Sequence, residues 1–393
     1  MDCPRCHTAN PEVGRFCYRC GQNLRTADTS RRDAYAVNPN EPVASFSLVS
    51  TIMPHGSGTR PSTYRTALAI ALAFPVVAAA IGALSFAIVT AAFAVPVVYI
   101  IYIYDVNLWE DEPVGVTLMS FAFSGVLGLI FTLMWREAIF KDVFRTPLNR
   151  LTQTVRLDEL LVLCLFVPVA AEILKQIGPV VLASRPAFDD LMDGLTFGVI
   201  SGVSFAAFET LVVNRVLIVH APLRVDNSNA ALWVSVVVTA GLIKPVVYGT
   251  ATGIACAEFS GLGEGYDGFT PRYFRGLLEA VVANILFQSG IYLFGLVKGS
   301  GGALLGMVWG IVVAAALIVR VRTVLHRGLM EAALEAAARQ STARYQTRDV
   351  GFCTQCEMPL LDQSLFCSNC GTSVRAVSKV ARQANATAAE AGE

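Results

Sequence analysis

Long apolar segments fill the middle of the chain and decide its fold class. Residues 66–104 form an uncharged run of 39, and a membrane-spanning helix needs about 20 apolar residues. The run therefore predicts two helices joined by a tight turn near Gly82. Further candidate spans are 114–134, 159–182, 194–219, 231–257, 275–297 and 302–320. We expect an all-α polytopic membrane protein with about eight transmembrane helices, or seven if the first run behaves differently.

Composition agrees with a membrane protein whose two ends are polar. Charged residues make up 15% of the 393, against about 25% in soluble domains. The formal net charge is zero, so nucleic acid is not expected as a partner. The N-terminus lacks a basic start followed by an apolar core, so no cleavable signal peptide is expected. An even number of spans puts both termini on the same side, which we expect to be the cytoplasm.

One polar loop conflicts with this topology. If both ends are cytoplasmic, the loop 135–158 lies outside, although basic loops prefer the cytoplasm. It contains Arg136, Lys141, Arg145, Arg150 and Arg156. Either the loop is an amphipathic helix on the membrane surface or the number of spans differs from eight by one.

Eight of the ten cysteines form two sets with the same spacing. Each set reads Cys-x2-Cys, ten residues, Cys-x2-Cys, with a Phe before the third cysteine and a Gly after the fourth. Four thiolates complete the tetrahedron that Zn2+ prefers in closed structural sites, and the metal supplies folding energy that so short a module lacks. We expect two structural zinc sites; disulfide hairpins are the alternative in an oxidising compartment. The predicted ligands are Cys3, Cys6, Cys17 and Cys20, and Cys353, Cys356, Cys367 and Cys370.

These features divide the chain into six parts. We expect an N-terminal zinc ribbon at 1–24, a flexible linker at 25–63, a transmembrane domain at 64–322, a helical linker at 323–349, a C-terminal ribbon at 350–374 and a disordered tail at 375–393.

A few polar residues interrupt the predicted spans. Charged side chains inside a membrane are costly and by default indicate function. Glu172 and Lys175 are three residues apart, and Asn284 and Gln288 four apart, so each pair shares a helix face. The remaining interior charges are Glu209 and Lys244. Together these residues form either a structural polar cluster or a catalytic or transport site.

The order of these motifs resembles the PrsW-type intramembrane proteases over about residues 92–320, and the two end modules resemble the short zinc ribbons of bacterial membrane proteins. The family pattern has an acidic loop, a Glu-Glu-x-x-Lys motif, an Asp-Gly-led helix with Phe-x-x-x-Glu, and two helices with His. The matching positions are the segment ending at Pro113, Ala171-Glu172-x-x-Lys175, Asp193-Gly194, Phe205-x-x-x-Glu209, Tyr248, and Asn284-x-x-x-Gln288.

The resemblance implies a site and also a loss of function. Glu172, Lys175 and Glu209 are its candidate catalytic residues, with Lys244, Tyr248, Asn284 and Gln288 lining the site. The family's chemistry uses paired glutamates and histidines, but Ala171 replaces the first glutamate and other residues replace both histidines. Imidazole is the usual agent of water activation near neutral pH.

Three functions follow as alternatives. The first is a degenerate protease in a bacterial plasma membrane, which binds a transmembrane client and contacts a cytosolic protein through its ribbons. The second is an active peptidase that uses Glu172 and Glu209 to cleave a membrane-anchored regulator. A variant of this would pair Lys175 with Ser201 or Ser204 as a catalytic dyad. The third is a transporter.

Overall fold

Nine helices and two short cysteine-containing modules make up the part of the chain that the structure describes. The computed structural model describes residues 1–25, 63–106, 114–139, 157–185, 188, 190–220, 225, 229–262, 266–297, 299–342, 351–353, 355–372 and 374. The chain divides into two compact units, one of Met1–Phe46 with His326–Glu393 and one of Ser47–Leu325. Most of the expected linker, basic loop and disordered tail lies outside the described residues.

The nine helices are numbered along the chain. In chain order they are α1 (Thr63–Ala80), α2 (Leu84–Val106), α3 (Val114–Ile139), α4 (Leu157–Ala183), α5 (Leu191–Val213), α6 (Arg215–His220), α7 (Ala230–Ser260), α8 (Pro271–Gly295) and α9 (Ser300–Thr342).

Local sequence signals explain where several helices begin and end. The side chain of Asp190 accepts a hydrogen bond from the backbone N–H of Asp193 and caps α5. Thr270 caps α8 in the same way, and Pro271 follows it, where its missing N–H costs nothing. Gly82 separates α1 from α2 with a φ of 86°, a left-handed conformation that glycine adopts readily.

Among the residues that the structure describes, six helices are long and apolar enough to cross a membrane. They are α3, α4, α5, α7, α8 and the Ser300–Gly328 part of α9, and they correspond to the six spans predicted after residue 113. The split of residues 66–104 at Gly82 is also confirmed. The apolar stretches of α1 and α2, Thr66–Ala80 and Leu84–Tyr99, are shorter than a full span. The expectation of eight spans is therefore not confirmed.

Helix α5 is the most deeply buried of these six, and glycines bring it close to α7. A Cβ atom on Gly202 would lie 2.5 Å from the carbonyl oxygen of Tyr248, and one on Gly198 would lie 2.7 Å from the Cα of Gly253. Small residues allow helices in a membrane to pack backbone against backbone, where dispersion forces are strongest. This contact fixes α7 against α5 and so positions the polar side chains that both carry.

Two helices contain a π-helical turn beside a proline. In α4 the turn is Val162–Phe166, just before Pro168, and in α7 it is Thr239–Ile243, just before Lys244 and Pro245. Proline has no N–H to complete the hydrogen-bond ladder, and π turns absorb such irregularities and recur near functional sites. Lys244 directly follows the second of these turns.

The Cys-x2-Cys turns of the two cysteine modules have similar backbone conformations, and the modules pack against each other within one unit. His7 and Glu357, at matching positions, have φ values of 54° and 60°, and Gly21 and Gly371 have φ values of 72° and 74°. In this part of the chain the strand-like pairing is limited to isolated bridges such as Asp2 with Ala9.

Candidate polar site in the membrane and candidate metal centres

The carboxylate of Glu172 is surrounded by hydrogen-bond donors. Its Oε2 lies 2.5 Å from the Nζ of Lys175 and accepts a hydrogen bond from the Nδ2 of Asn284 at 2.8 Å. Its Oε1 accepts from the Nε2 of Gln176 at 2.9 Å and from the Oγ1 of Thr252 at 3.0 Å. Three hydrogen-bond donors and one ammonium group, from α4, α7 and α8, thus converge on one carboxylate.

Burial makes this arrangement energetically important. Glu172 is 0% and Lys175 1% exposed. Removing a charge from water costs several kcal/mol, and only a close partner with further hydrogen bonds offsets that cost. Asn284 also donates to the backbone carbonyl of Ala280, which orients its amide. The group therefore ties three helices together at a neutral ion pair.

A second polar group lies around the ring of Tyr248. Lys244 Nζ lies 3.1 Å from Glu209 Oε2, and Gln288 donates a hydrogen bond to the Tyr248 hydroxyl at 2.8 Å. The Nζ of Lys175 lies 4.0 Å from the Tyr248 ring centroid and that of Lys244 lies 5.4 Å from it. Both distances suit cation–π contacts, so Tyr248 joins the two ion pairs.

The structure thus brings all seven predicted membrane site residues together. It also adds three that the sequence interpretation did not include, Gln176, Thr252 and Cys256. The Sγ of Cys256 lies 3.0 Å from the Oε1 of Gln176. Helical spacing was the signal that could have found them, because Gln176 follows Glu172 by four residues and Thr252 and Cys256 follow Tyr248 by four and eight.

The two serines considered for a catalytic dyad have other partners. Ser201 Oγ donates to the backbone carbonyl of Lys175 at 2.7 Å, and Ser204 Oγ donates to that of Phe121 at 2.6 Å. A serine nucleophile needs its hydroxyl proton directed at a base. Both hydroxyls instead join neighbouring helices.

Each cysteine set forms a compact cluster of four sulfur atoms. Neighbouring Sγ atoms are 3.6 Å apart for Cys3 and Cys20 and 3.7 Å apart for Cys353 and Cys370. Within each set all four sulfur atoms lie within 4.8 Å of one another. A tetrahedron with metal–sulfur bonds of about 2.3 Å has sulfur–sulfur edges of about 3.8 Å. Both sets therefore fit a tetrahedral metal ion.

The environment of the thiols prepares them for a cation. The hydrogen bond with Thr8 lowers the pKa of Cys6 to about 6, while burial raises the pKa of Cys20 to about 12. In the other set the hydrogen bond with Cys367 lowers the pKa of Cys356 to about 5 and raises the pKa of Cys367 well above its ordinary value. Each set thus combines one cysteine that is readily deprotonated with thiols that release their protons to solvent when a cation binds.

Fold and sites define a polytopic α-helical membrane protein with a buried polar centre and two four-cysteine metal modules. Residues 112–296, just under half of the chain, match the family described as PrsW family intramembrane metalloprotease. These residues are therefore similar to the PrsW family, as the order of the membrane motifs predicted. Comparison with curated proteins gives no match, and comparison with solved structures gives none.

The membrane centre of this chain does not fit the metal that the family description implies. Glu172 already accepts hydrogen bonds from three donors and is paired with the Lys175 ammonium, so a metal ion would have to displace that ammonium and an amide. Within the described ranges, the only groups of three or more metal-binding side chains are the two cysteine sets. The family's paired glutamate is Ala171, whose methyl group cannot bind a metal.

We expect the protein to bind two divalent metal ions per chain, both at the cysteine sets. Replacing Cys6 and Cys20 with serine should lower the content to one ion, because serine binds such metals far more weakly than thiolate. Metal analysis of the purified protein by mass spectrometry measures this content. Glu172→Gln is the matched control and should retain two ions; a loss of one ion in that variant would place a metal in the membrane centre.

Proposed function

We propose that this chain is a catalytically degenerate PrsW-family protein that serves as a membrane scaffold. In this proposal it binds a transmembrane segment of a client protein and contacts a cytosolic protein through its two zinc ribbons. Both termini are then in the cytoplasm and the membrane is a bacterial plasma membrane.

The observation that carries the proposal is the saturation of Glu172. A general base must offer a free lone pair to the proton that it removes, within hydrogen-bond reach of the attacking water. Glu172 is fully buried; its two oxygen atoms accept hydrogen bonds from two amides and a hydroxyl, and one of them also forms an ion pair with the Lys175 ammonium. These contacts suit a clamp between α4, α7 and α8.

The outer surface of α3 supports a partner within the membrane. Five of its large apolar side chains are about half exposed and follow one another at helical spacing. They are Leu118, Met119, Phe123, Val126 and Ile130. Such a surface faces either lipid or another transmembrane helix, and shape rather than water exclusion decides between the two.

Zinc is the metal that we assign to the ribbons. Four cysteines leave no open coordination position, so the ion has a structural role. Soft thiolate ligands in a tetrahedron select zinc or iron, and paired Cys-x2-Cys knuckles of this length are typical of zinc. A ribbon so small presents mostly surface, which suits contact with a partner protein.

Peptidase activity in lipid tests the proposal directly. Purified protein loaded with zinc is incubated in vesicles with a panel of single-span membrane substrates, and the products are resolved by gel electrophoresis. We expect no cleavage above the vesicle background and no difference between the parent chain and Glu172→Gln. Cleavage that disappears in Glu172→Gln, in protein that elutes as one species, would overturn the proposal.

Glu209 defines a second candidate function, an active peptidase with an altered site. Its partner Lys244 has a side chain 12% exposed, against 1% for Lys175, so this end of the polar centre is the less buried. Glu209→Gln is therefore included in the same assay. Substrate fragments that form with Glu172→Gln but not with Glu209→Gln would favour this candidate over the scaffold.

A further inference from the structure

The two ribbons contact each other through the same surface on both sides. The backbone N–H groups of Arg15 and Phe16 donate to the carbonyl oxygen of Ser368, at 2.9 and 3.0 Å. The matching N–H groups of Leu365 and Phe366 donate to the carbonyl oxygen of Tyr18, at 2.8 and 2.9 Å. The contact therefore has the reciprocal pattern of a two-fold symmetric dimer, formed within one chain.

Aromatic rings repeat this reciprocity. The ring of Phe16 lies over Gly371, and the ring of Phe366 lies over Gly21. A Cβ atom on either glycine would come within 2.9 Å of the ring. Both glycines also have positive φ values, so they allow the knuckle to turn and the partner's ring to approach.

Every one of these contacts is adjacent in sequence to a metal ligand. Phe16 and Tyr18 flank Cys17, while Gly21 follows Cys20. The same holds in the second ribbon, where Phe366 and Ser368 flank Cys367 and Gly371 follows Cys370. The metal fixes the backbone of these knuckles, and a module this short has little other core to hold them.

We propose that the two ribbons form one metal-dependent clasp, in which each zinc ion stabilises the site of the other. Loss of zinc from one ribbon releases its second Cys-x2-Cys knuckle. The phenylalanine of the other ribbon then loses the glycine against which it packs, and two backbone hydrogen bonds between the ribbons are lost. The partner's second knuckle is then held by its own metal alone. This proposal rests on metal binding by the ribbons and is independent of whether the membrane domain is a peptidase.

Charge supports pairing between unlike ribbons. The described part of the C-terminal ribbon has two acidic residues, Glu357 and Asp362, and no Lys or Arg. A zinc ion with four thiolates adds two further negative charges to each ribbon, so two C-terminal ribbons would repel each other. The N-terminal ribbon has two acidic residues and three arginines: Asp2, Glu12, Arg5, Arg15 and Arg19. Its arginines offset part of the negative charge of its metal site. The acidic C-terminal ribbon is therefore repelled less by the N-terminal ribbon than by a second copy of itself.

Zinc release from the full-length protein in detergent tests the coupling. A chromophoric chelator in excess reports the rate and the number of ions released. In a chain with Cys356→Ser and Cys370→Ser, we expect the remaining ion of the N-terminal ribbon to leave at least tenfold faster than from the parent chain. Cys164→Ser, a cysteine of the membrane domain, is the matched control and should leave both rates unchanged. A remaining ion released within twofold of the parent rate would show that the sites are independent.

A second variant retains all eight cysteine ligands. Phe16→Ala removes one ring, which belongs to the N-terminal ribbon and contacts the C-terminal one. We expect both ions to leave faster than from the parent chain. Release of one fast ion and one ion at the parent rate would overturn the proposal, because the ring would then support only its own ribbon. Parent protein that binds two ions verifies the sites before either comparison is made.

Discussion

Lys175→Met is expected to lower the free energy of unfolding of the membrane domain by about 3–5 kcal/mol, the usual cost of leaving one partner of a buried ion pair alone. Methionine has a similar length and fills the same space but carries no charge. Glu172 would then keep its three neutral donors in a site that is 0% exposed. Unfolding in detergent, followed by circular dichroism against denaturant, measures the change.

A double variant separates the charge from the packing. Glu172→Gln combined with Lys175→Met removes both charges, so it should recover most of the loss. Ile173→Ala is the control on the same turn of α4, since its side chain is 53% exposed and faces outward. We expect a smaller effect there. If Lys175→Met unfolds at the same denaturant concentration as the parent chain, the ion pair does not hold the helices together.

Gly202→Ala is expected to have the second largest effect, about 2–3 kcal/mol of destabilisation from overpacking. The added Cβ would lie 2.5 Å from the Tyr248 carbonyl oxygen and 2.6 Å from the Gly249 nitrogen. These are backbone atoms, so α5 and α7 must move apart rather than a side chain rotate. Thermal unfolding in detergent, with the same probe, reports the loss.

Gly115→Ala is the matched control for this substitution. It lies in α3, and a Cβ there would meet nothing within 4 Å. Because alanine favours the helix over glycine by up to about 1 kcal/mol, the control should be neutral or slightly stabilising. Equal losses for Gly202→Ala and Gly115→Ala would show that close approach of α5 to α7 is not what the glycine provides.

Much of the membrane domain was predictable because one physical requirement dominates it. Lipid demands about 20 apolar residues per crossing, and six stretches meet that demand at the positions where the helices lie. The ion pairs were predictable for a related reason. Glu172, Lys175, Glu209 and Lys244 lie in the interior of these spans, and a buried charge needs a partner.

The features that escaped prediction depend on contacts between distant segments or on local irregularity. Thr252 and Cys256 look like ordinary small residues of an apolar helix until α4 is packed beside them. The π-helical turn before Lys244 has no residue signal beyond the following proline. In α1 and α2 the sequence was long enough for two spans, but their apolar stretches are short. Periodicity gives the face of a helix and says nothing of its neighbour.

The reciprocal contact between the ribbons has a consequence for biosynthesis. The N-terminal ribbon is made first, and its partner is made only after more than 300 further residues have been translated. At about 5–20 residues per second, this interval is roughly 15–70 s. During that time the contact surface around Phe16 cannot pair with the C-terminal ribbon of its own chain. Chains released from the same message within this interval carry finished C-terminal ribbons. Neighbouring chains can therefore exchange C-terminal ribbons at the surface around Phe16.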